Sequence, residues 1–504
     1  MAVAWLVAGC GSSGGAPAPG RGGAGGGGGV AGVAGTTGAG GSGGAGGGGG
    51  AAGSVGGAGG AGGGGSGGGD LAPLQFAISP TGPDRFYGVT YDAQGSIYAV
   101  GQVATSTDAN ADVATLVAKF SAAGVPDPSF GSAGFAVRNL ASGTSGELCR
   151  GIVVQSTGKV VVAGAVEHAG AADARDRDIA VARFNPDGTK DASFGADGIV
   201  ILDLSTGVVN GTAFSTDSAW GLAVYPDDRL VVSGGQARAG GTDTDFALIR
   251  LNADGTRDAT FAGNGVFTLD TLADGASNNA SPRNVTILPG SDGILGAGYQ
   301  PVPGADTRPV VYKVTDAGLL DTSFGTSGVF SQSLLAEQTE TYQVAIQPAP
   351  DGGYKIVTTG YGRQAATETT DLVSLRLTAA GALDTTYGAG GLARVDVGGF
   401  ADNSRRLAVL PDRRIMLVGG GRATSANVDG LVALLTPDGQ PDRAFSPTGW
   451  RTFDLGGPAD FLWSVALSPD GRTAALVGID GVGTAPSPAT ANDDAVLLLL
   501  PVPQ

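Results

Sequence analysis

The stretch Trp220-Gly221-Leu222-Ala223-Val224-Tyr225-Pro226-Asp227-Asp228-Arg229-Leu230-Val231-Val232-Ser233-Gly234 decides the architecture. Two apolar runs flank a Pro-Asp turn, so it predicts a tight antiparallel hairpin of 221–225 against 230–233. Further on, 245–251 predicts a third strand and 252–255 a turn. Asp258-Ala259-Thr260-Phe261 and Gly265 then lead to a fourth strand at 266–269. The glycine that closes the hairpin recurs at Gly101, Gly164, Gly234, Gly298, Gly360, Gly419 and Gly478, at intervals of 63, 70, 64, 62, 59 and 59 residues. A period of this length, built from short strands, means a radial or solenoid array, and four antiparallel strands per unit make one propeller blade. The expected fold is all-β: a seven-bladed β-propeller of four-stranded antiparallel blades.

A second element, Asp-x-Ser-Phe-Gly in its strictest copies at 191–195 and 321–325, recurs with its aromatic at Phe130, Phe194, Phe261, Phe324, Tyr387 and Phe445. Here the aspartate starts a turn, the aromatic plugs the gap between blades, and glycine supplies a positive φ. The pair of motifs resembles the delta-60 repeat family, whose units carry L-D-x-S-F-G-x-x-G and P-D-G-K-hydrophobic-hydrophobic-A-G. The resemblance covers residues 80–485 and implies architecture and export, not an activity. Only six of these elements accompany seven hairpins. The last unit therefore lacks a fourth strand, and 74–78 is expected to supply it and so close the ring without an exposed edge.

Composition changes near residue 70. Residues 11–69 hold 35 glycines and one charge, Arg21. Such a stretch cannot offset its chain entropy by burial and is expected to be a disordered linker, spanning about 40 Å as a flexible coil. The propeller is expected over 70–504. Residues 1–10 end in Val7-Ala8-Gly9-Cys10, which resembles the lipobox of bacterial lipoprotein signal peptides. That implies a lipid on Cys10, and Gly11 after it implies outer-membrane sorting. No Lys or Arg precedes the apolar run. The expected location is the cell envelope, touching membrane only through the lipid anchor. A net charge of −17 argues against nucleic acid and anionic membrane surfaces as partners. The expected partner is a protein or glycan at the envelope, and the chain a monomer.

Aligning the first strands gives the sharpest site signal. Two residues before the aligned apolar position stand Tyr87, Arg150, Trp220, Arg283, Tyr342, Arg405 and Trp463, aromatic and arginine in alternation. First strands line a propeller's channel, so these side chains are expected to ring one mouth and grip a ligand by cation–π and hydrogen-bonding contacts. The competing expectation is a self-satisfied ring, each arginine paired with a neighbouring strand aspartate. Asp178, Asp245, Asp371, Asp429 and Asp494 begin third strands and read as strand caps and blade-to-blade partners. No calcium-loop pattern or zinc set is present, so neither metal nor cofactor is expected. The single histidine, His168, reads as a solvated loop residue. No catalytic residues are assigned, because one histidine and scattered thiols make a nucleophilic triad improbable. The expected function is non-enzymatic binding or scaffolding. The alternative is a hydrolase or lyase acting on polysaccharide at the same mouth, with two carboxylates about 5–10 Å apart.

Overall fold

The computed structural model describes residues 71–79, 82–105, 113–141, 147–169, 176–205, 217–237, 243–271, 280–424, 427–481 and 493–503. The chain divides into two units, Met1–Asp70 and Leu71–Gln504, and the described residues all belong to the second. The expected signal segment, Cys10 and the Gly-rich linker lie outside them.

A short strand, β1 (Leu74–Phe76), comes first. Sheets of four consecutive antiparallel strands follow. The first is β2 (Asp84–Tyr91), β3 (Ile97–Ala104), β4 (Val113–Phe120) and β5 (Phe135–Arg138). Next come β6 (Leu148–Val154), β7 (Val160–Glu167), β8 (Arg177–Phe184) and β9 (Ile199–Leu202), then β10 (Ser218–Val224), β11 (Leu230–Ala237), β12 (Thr244–Leu251) and β13 (Val266–Leu269). The fourth sheet holds β14 (Ser281–Ile287), β15 (Ile294–Pro301), β16 (Thr307–Val314) and the two-residue β17 (Val329–Phe330). The fifth has β18 (Gln338–Thr339), β19 (Gln343–Pro348), β20 (Tyr354–Arg363), β21 (Asp371–Thr378) and β22 (Leu392–Val395). A single parallel pair, Thr307 with Gln338, joins these two. The sixth is β23 (Asn403–Val409), β24 (Ile415–Gly421), β25 (Asp429–Leu435) and β26 (Trp450–Phe453). Last come β27 (Phe461–Leu467), β28 (Thr473–Asp480) and β29 (Asp494–Pro501). On the far side of β29 lies β1, antiparallel, with Leu74 opposite Leu497 and Phe76 opposite Ala495.

Central strands such as Val160–Glu167 are apolar on both faces because both faces are covered. Val161, Ala163, Ile179 and Val181 of the second sheet share a core with Val232, Ala247 and Ile249 of the third. In the same way Ala475, Val477 and Leu497 of the last sheet pack on Phe86, Ile97 and Leu116 of the first. Phe76 on β1 completes that seam, stacking near Phe86, Phe120 and Phe135.

The Asp-x-Ser-Phe-Gly element is a clamp between sheets. Its aspartate caps the turn, as Ser193 N–H and Oγ donate to Asp191 Oδ1. A cation eight residues upstream on the third strand pairs with it: Lys119 with Asp127, Arg183 with Asp191, Arg250 with Asp258, Lys313 with Asp321, and Arg376 with Asp384. Arg250, 1% exposed, also reaches Asp316 in the next sheet at 2.9 Å and lies 4.7 Å over the ring of Phe261. An unpaired charge at such depth would cost several kcal/mol, so the two carboxylates are needed to hold it there. Gly195 and Gly325 adopt φ of 54° and donate their N–H across the gap to Asp254 and Ala380. The turn, plug and glycine roles read from the sequence are thus what these residues do.

Candidate functional site

The recurring glycine and the aromatic–arginine series prove to be two sides of one device. Each first strand carries a β-bulge at the series residue. Register skips Tyr87, Arg150, Trp220, Arg283, Arg405 and Trp463. In the fifth sheet Tyr342 occupies the same place, between β18 and β19, and donates its N–H to Thr359 O. A bulge adds an unpaired residue and re-aims its side chain. It also presses the backbone against the second strand. A methyl on Gly101, Gly164, Gly234, Gly298, Gly360, Gly419 or Gly478 would collide with the carbonyl oxygen two residues before the ring residue, from Arg85 in the first case to Phe461 in the last. Glycine there makes room for the bulge, and the bulge sends the side chain inward.

A buried carboxylate anchors the entry to most of these strands, three residues before the ring residue. Asp84, Glu147, Asp217, Asp402 and Asp460 are at most 1% exposed. They accept backbone N–H bonds from the incoming loop, as from Ile78 and Ser79 to Asp84, Leu204 and Ser205 to Asp217, and Leu455 and Gly457 to Asp460. Burial pushes Asp84 and Asp460 up to about 7 and Asp402 up to about 8, against the lowering effect of the donated N–H groups. The sequence reading missed this set, although its fixed spacing from the ring was a visible signal.

All seven expected ring residues meet in one closed circuit. The Arg150 guanidinium carbon lies 5.5 Å from the ring centre of Tyr87 and 3.8 Å from that of Trp220. Arg283 lies 3.9 Å from Trp220 and 5.0 Å from Tyr342, and Arg405 4.1 Å from Tyr342 and 5.6 Å from Trp463. Trp463 then meets Tyr87 edge-on at 5.2 Å. The expectation that strand aspartates neutralise each arginine needs correction at two positions. Among the described residues, neither Arg283 nor Arg405 has a carboxylate within ion-pair distance. Arg283 donates to Tyr299 Oη at 2.7 Å and to Pro282 O, and Arg405 packs against Tyr342, Tyr361 and Trp463. The reason lies in the bulge, which turns these side chains toward the neighbouring strands' aromatics.

Four residues outside the aromatic–arginine series complete the site. Tyr299, Tyr342 and Tyr361 stand in a row, with hydroxyl separations of 3.4 Å and 3.4 Å. Burial pushes the hydroxyls of Tyr299 and Tyr361 well above the usual phenol range. Glu340 is buried, acts electrostatically on Arg283 and Arg405, and accepts from Gln338 Nε2 at 2.6 Å. Arg406 crosses the central space, donating from Nη2 to Trp220 O at 3.3 Å, 186 residues away. Burial, then Arg405 and Arg283, push its guanidinium down to about 10. Glu340 and Arg406 are singular in the repeats, so alignment of units could not single them out, whereas Tyr299 and Tyr361 each follow the recurring glycine, at Gly298 and Gly360, a signal the sequence reading missed.

The third-strand aspartates do occupy equivalent registers, as Asp178 opposite Val166 and Asp371 opposite Gly362. For Asp178 and Asp371 the side-chain partners lie within their own sheet, in place of the expected blade-to-blade contact. His168 Nδ1 is 3.0 Å from Asp178, and Arg394 donates to Asp371. His168 is therefore no solvated bystander, and this contact raises its pKa above the usual imidazole value. Ligand atoms of His168, Asp178 and Asp203, of Asp243, Asp245 and Asp270, and of Asp371, Asp396 and Asp402 lie within 4.8 Å of one another. Arg394 already occupies the last group's Asp371.

Sheets of this kind, with inner strands around a common centre, define a β-propeller repeat protein. A family model described as a domain of unknown function (DUF5122) with a β-propeller matches residues 155–194, 226–261 and 410–445. Each match runs from the turn of a first hairpin to the aromatic of the clamp. No curated protein sequence matches the chain. Solved structures with a similar fold include an ulvan lyase of a new polysaccharide lyase family, at 11% identity and TM-score 0.44, over 85% of this chain and 94% of that one. The α-L-arabinofuranosidase Arb93A from Fusarium graminearum matches at 10% identity and TM-score 0.39, over 69% and 91%. The β-propeller domain of the Trilobed protease from Pyrococcus furiosus matches at 8% identity and TM-score 0.40, over 84% and 94%. No activity passes to this chain from likenesses so distant.

Proposed function

We propose that this chain is a non-catalytic binding module: a seven-bladed propeller closed by β1, tethered to the cell envelope through a lipid on Cys10, that takes its protein or glycan ligand at the channel mouth. Closure is supported by the pairing of β1 with β29 and by the contact of β2 with β27. The anchor rests on Val7-Ala8-Gly9-Cys10 and the Gly-rich stretch after it. The observation that carries the site is the pair Arg283 and Arg405, held by aromatic faces and hydroxyls with no carboxylate salt bridge among the described residues. Arginine beside aromatic faces is suited to grip polar, partly apolar ligands without chemistry.

The polysaccharide-cleaving alternative has one observation in its favour, the row of tyrosine hydroxyls beside Arg283. Their raised pKa values keep Tyr299 and Tyr361 protonated at neutral pH, as donors and not as bases. A hydrolase would need a carboxylate pair, and Glu340 is a single carboxylate acting on Arg283 and Arg405.

One set of variants tests the reading. Acyl labelling of the full chain should vanish in Cys10→Ser. A screen of envelope glycans, peptidoglycan fragments and envelope proteins should yield a ligand that the Arg150→Ala, Arg283→Ala, Arg405→Ala triple variant no longer binds at unchanged melting temperature. Labelling that persists removes the anchor. No ligand, or a ligand bound equally by the triple variant, removes the site.

A further inference from the structure

Three donors of the ring residues lack acceptors. Arg283 Nε, Arg405 Nε and Trp463 Nε1 are buried N–H groups with no hydrogen-bond partner among the described residues. Buried donors in folded proteins are matched in the great majority of cases, so each asks for an acceptor. Charge points the same way. Arg150, Arg283 and Arg405 of the circuit and Arg406 beside them bring four positive charges, and Glu340 acts on Arg283 and Arg405 with one negative charge. Glu340 bonds none of the three: its Oε1 accepts from Gln338, and its Oε2 has no hydrogen bond among the described residues. Burial and then the like charges of Arg405 and Arg283 depress Arg406.

We propose that the channel mouth holds an oxyanion, a carboxylate or sulfate group, received by the Nε donor of Arg405 and the indole N–H of Trp463, whose ring centre lies 5.6 Å from the Arg405 guanidinium carbon, with Arg283 and Arg406 adding positive charge. The proposal rests on the binding-module reading and names the chemistry of its ligand. Guanidinium groups suit a planar carboxylate or a sulfate because their N–H groups lie in one fork. The aromatic faces of Trp220 and Tyr342 hold the Arg283 and Arg405 guanidinium groups at 3.9 and 4.1 Å, so the donors are fixed before the anion arrives. The group could be a free ion or could be carried on an acidic polysaccharide, and the two sources differ in what else they touch.

The test is calorimetric titration of the full chain with sulfate, glucuronate, an oligoglucuronate and neutral glucose at constant ionic strength. Saturable binding of at least one anion, without response to glucose, is expected. Trp463→Phe keeps the ring and removes one donor, and should weaken binding about tenfold, the worth of one hydrogen bond to a charged group. Arg283→Gln with Arg405→Gln should abolish it; if that pair fails to fold, Trp463→Phe decides. Sulfate bound as tightly as the oligoglucuronate would indicate a free ion, and a much tighter oligoglucuronate a polymer-borne group. No saturable binding of any anion, or binding that Trp463→Phe leaves unchanged, overturns the proposal. A neutral ligand found in the screen and lost in the triple arginine variant would then leave the binding module standing without the anion.

Discussion

A methyl group on Gly419 would overlap the carbonyl oxygen of Asn403, because the bulge at Arg405 pushes that carbonyl toward the second strand. Backbone, unlike a side-chain tip, cannot step aside. Gly419→Ala should cost about 1–3 kcal/mol, the usual penalty of overpacking. Gly353→Ala, at an exposed turn facing only the side chain of Asp351, should leave the melting temperature nearly unchanged. Equal melting temperatures for the two variants would refute the bulge account. At this scale the sequence was legible in its positions and silent on their cause. The glycines, Tyr87, Arg150 and the rest of the series repeat at fixed intervals and so can be aligned. The bulge that links them leaves no residue signature beyond the glycine opposite. Arg406 and Glu340 occur once each in the repeats and nothing periodic marks them, while Tyr299 and Tyr361 follow the recurring glycine in two successive units.

At the scale of the element, β1 matters out of proportion to its three residues. It pairs with β29, and Phe76 sits 5.0 Å from Phe120 and 5.9 Å from Phe135, all within the seam between last and first sheets. Truncating a packed phenylalanine costs about 3–5 kcal/mol when fully buried, and somewhat less at this half-buried site. Phe76→Ala should therefore lower the thermal midpoint cooperatively, for the whole domain. A fall confined to a separate early transition would mean that the seam does not hold the array together. Pairing of 74–76 with the last unit was readable because a strand was missing at one end and spare at the other. The clamps were half readable. Their aromatics and glycines stood out, but the cation eight residues upstream did not, since it falls within a strand whose other residues are apolar.

Across the whole molecule, two groups of carboxylates respond to pH in opposite senses. Asp84, Asp460 and Asp480 are raised to about 7 and Asp402 to about 8, with burial the first cause. For these the folded state holds its proton more tightly than the unfolded chain. Their stabilisation is complete below the ordinary carboxylate range and is lost as pH rises from about 4 to about 8. Asp127 and Asp384 are lowered to about 2, by the Lys119 hydrogen bond for the first and by hydrogen bonds and the Arg376 charge outweighing burial for the second. Their contribution is present above about 4 and is lost as pH falls toward 2. The melting temperature should pass through a maximum near pH 4–5 and decline toward pH 8, with the net charge of −17 adding to the decline. A melting temperature that rises steadily from pH 5 to pH 8 would show that the buried aspartates are ionised in the fold. The circuit of Tyr87, Arg150, Trp220, Arg283, Tyr342, Arg405 and Trp463 has a further consequence, which comes from counting. An odd number of places cannot alternate all the way round, so like must meet like once, and it does so where Trp463 touches Tyr87. The circle thus has a neutral pole where β27 meets β2 and a charged pole at Arg283 on the far side. The circuit is a compass and not a wheel, with different chemistry at its two poles.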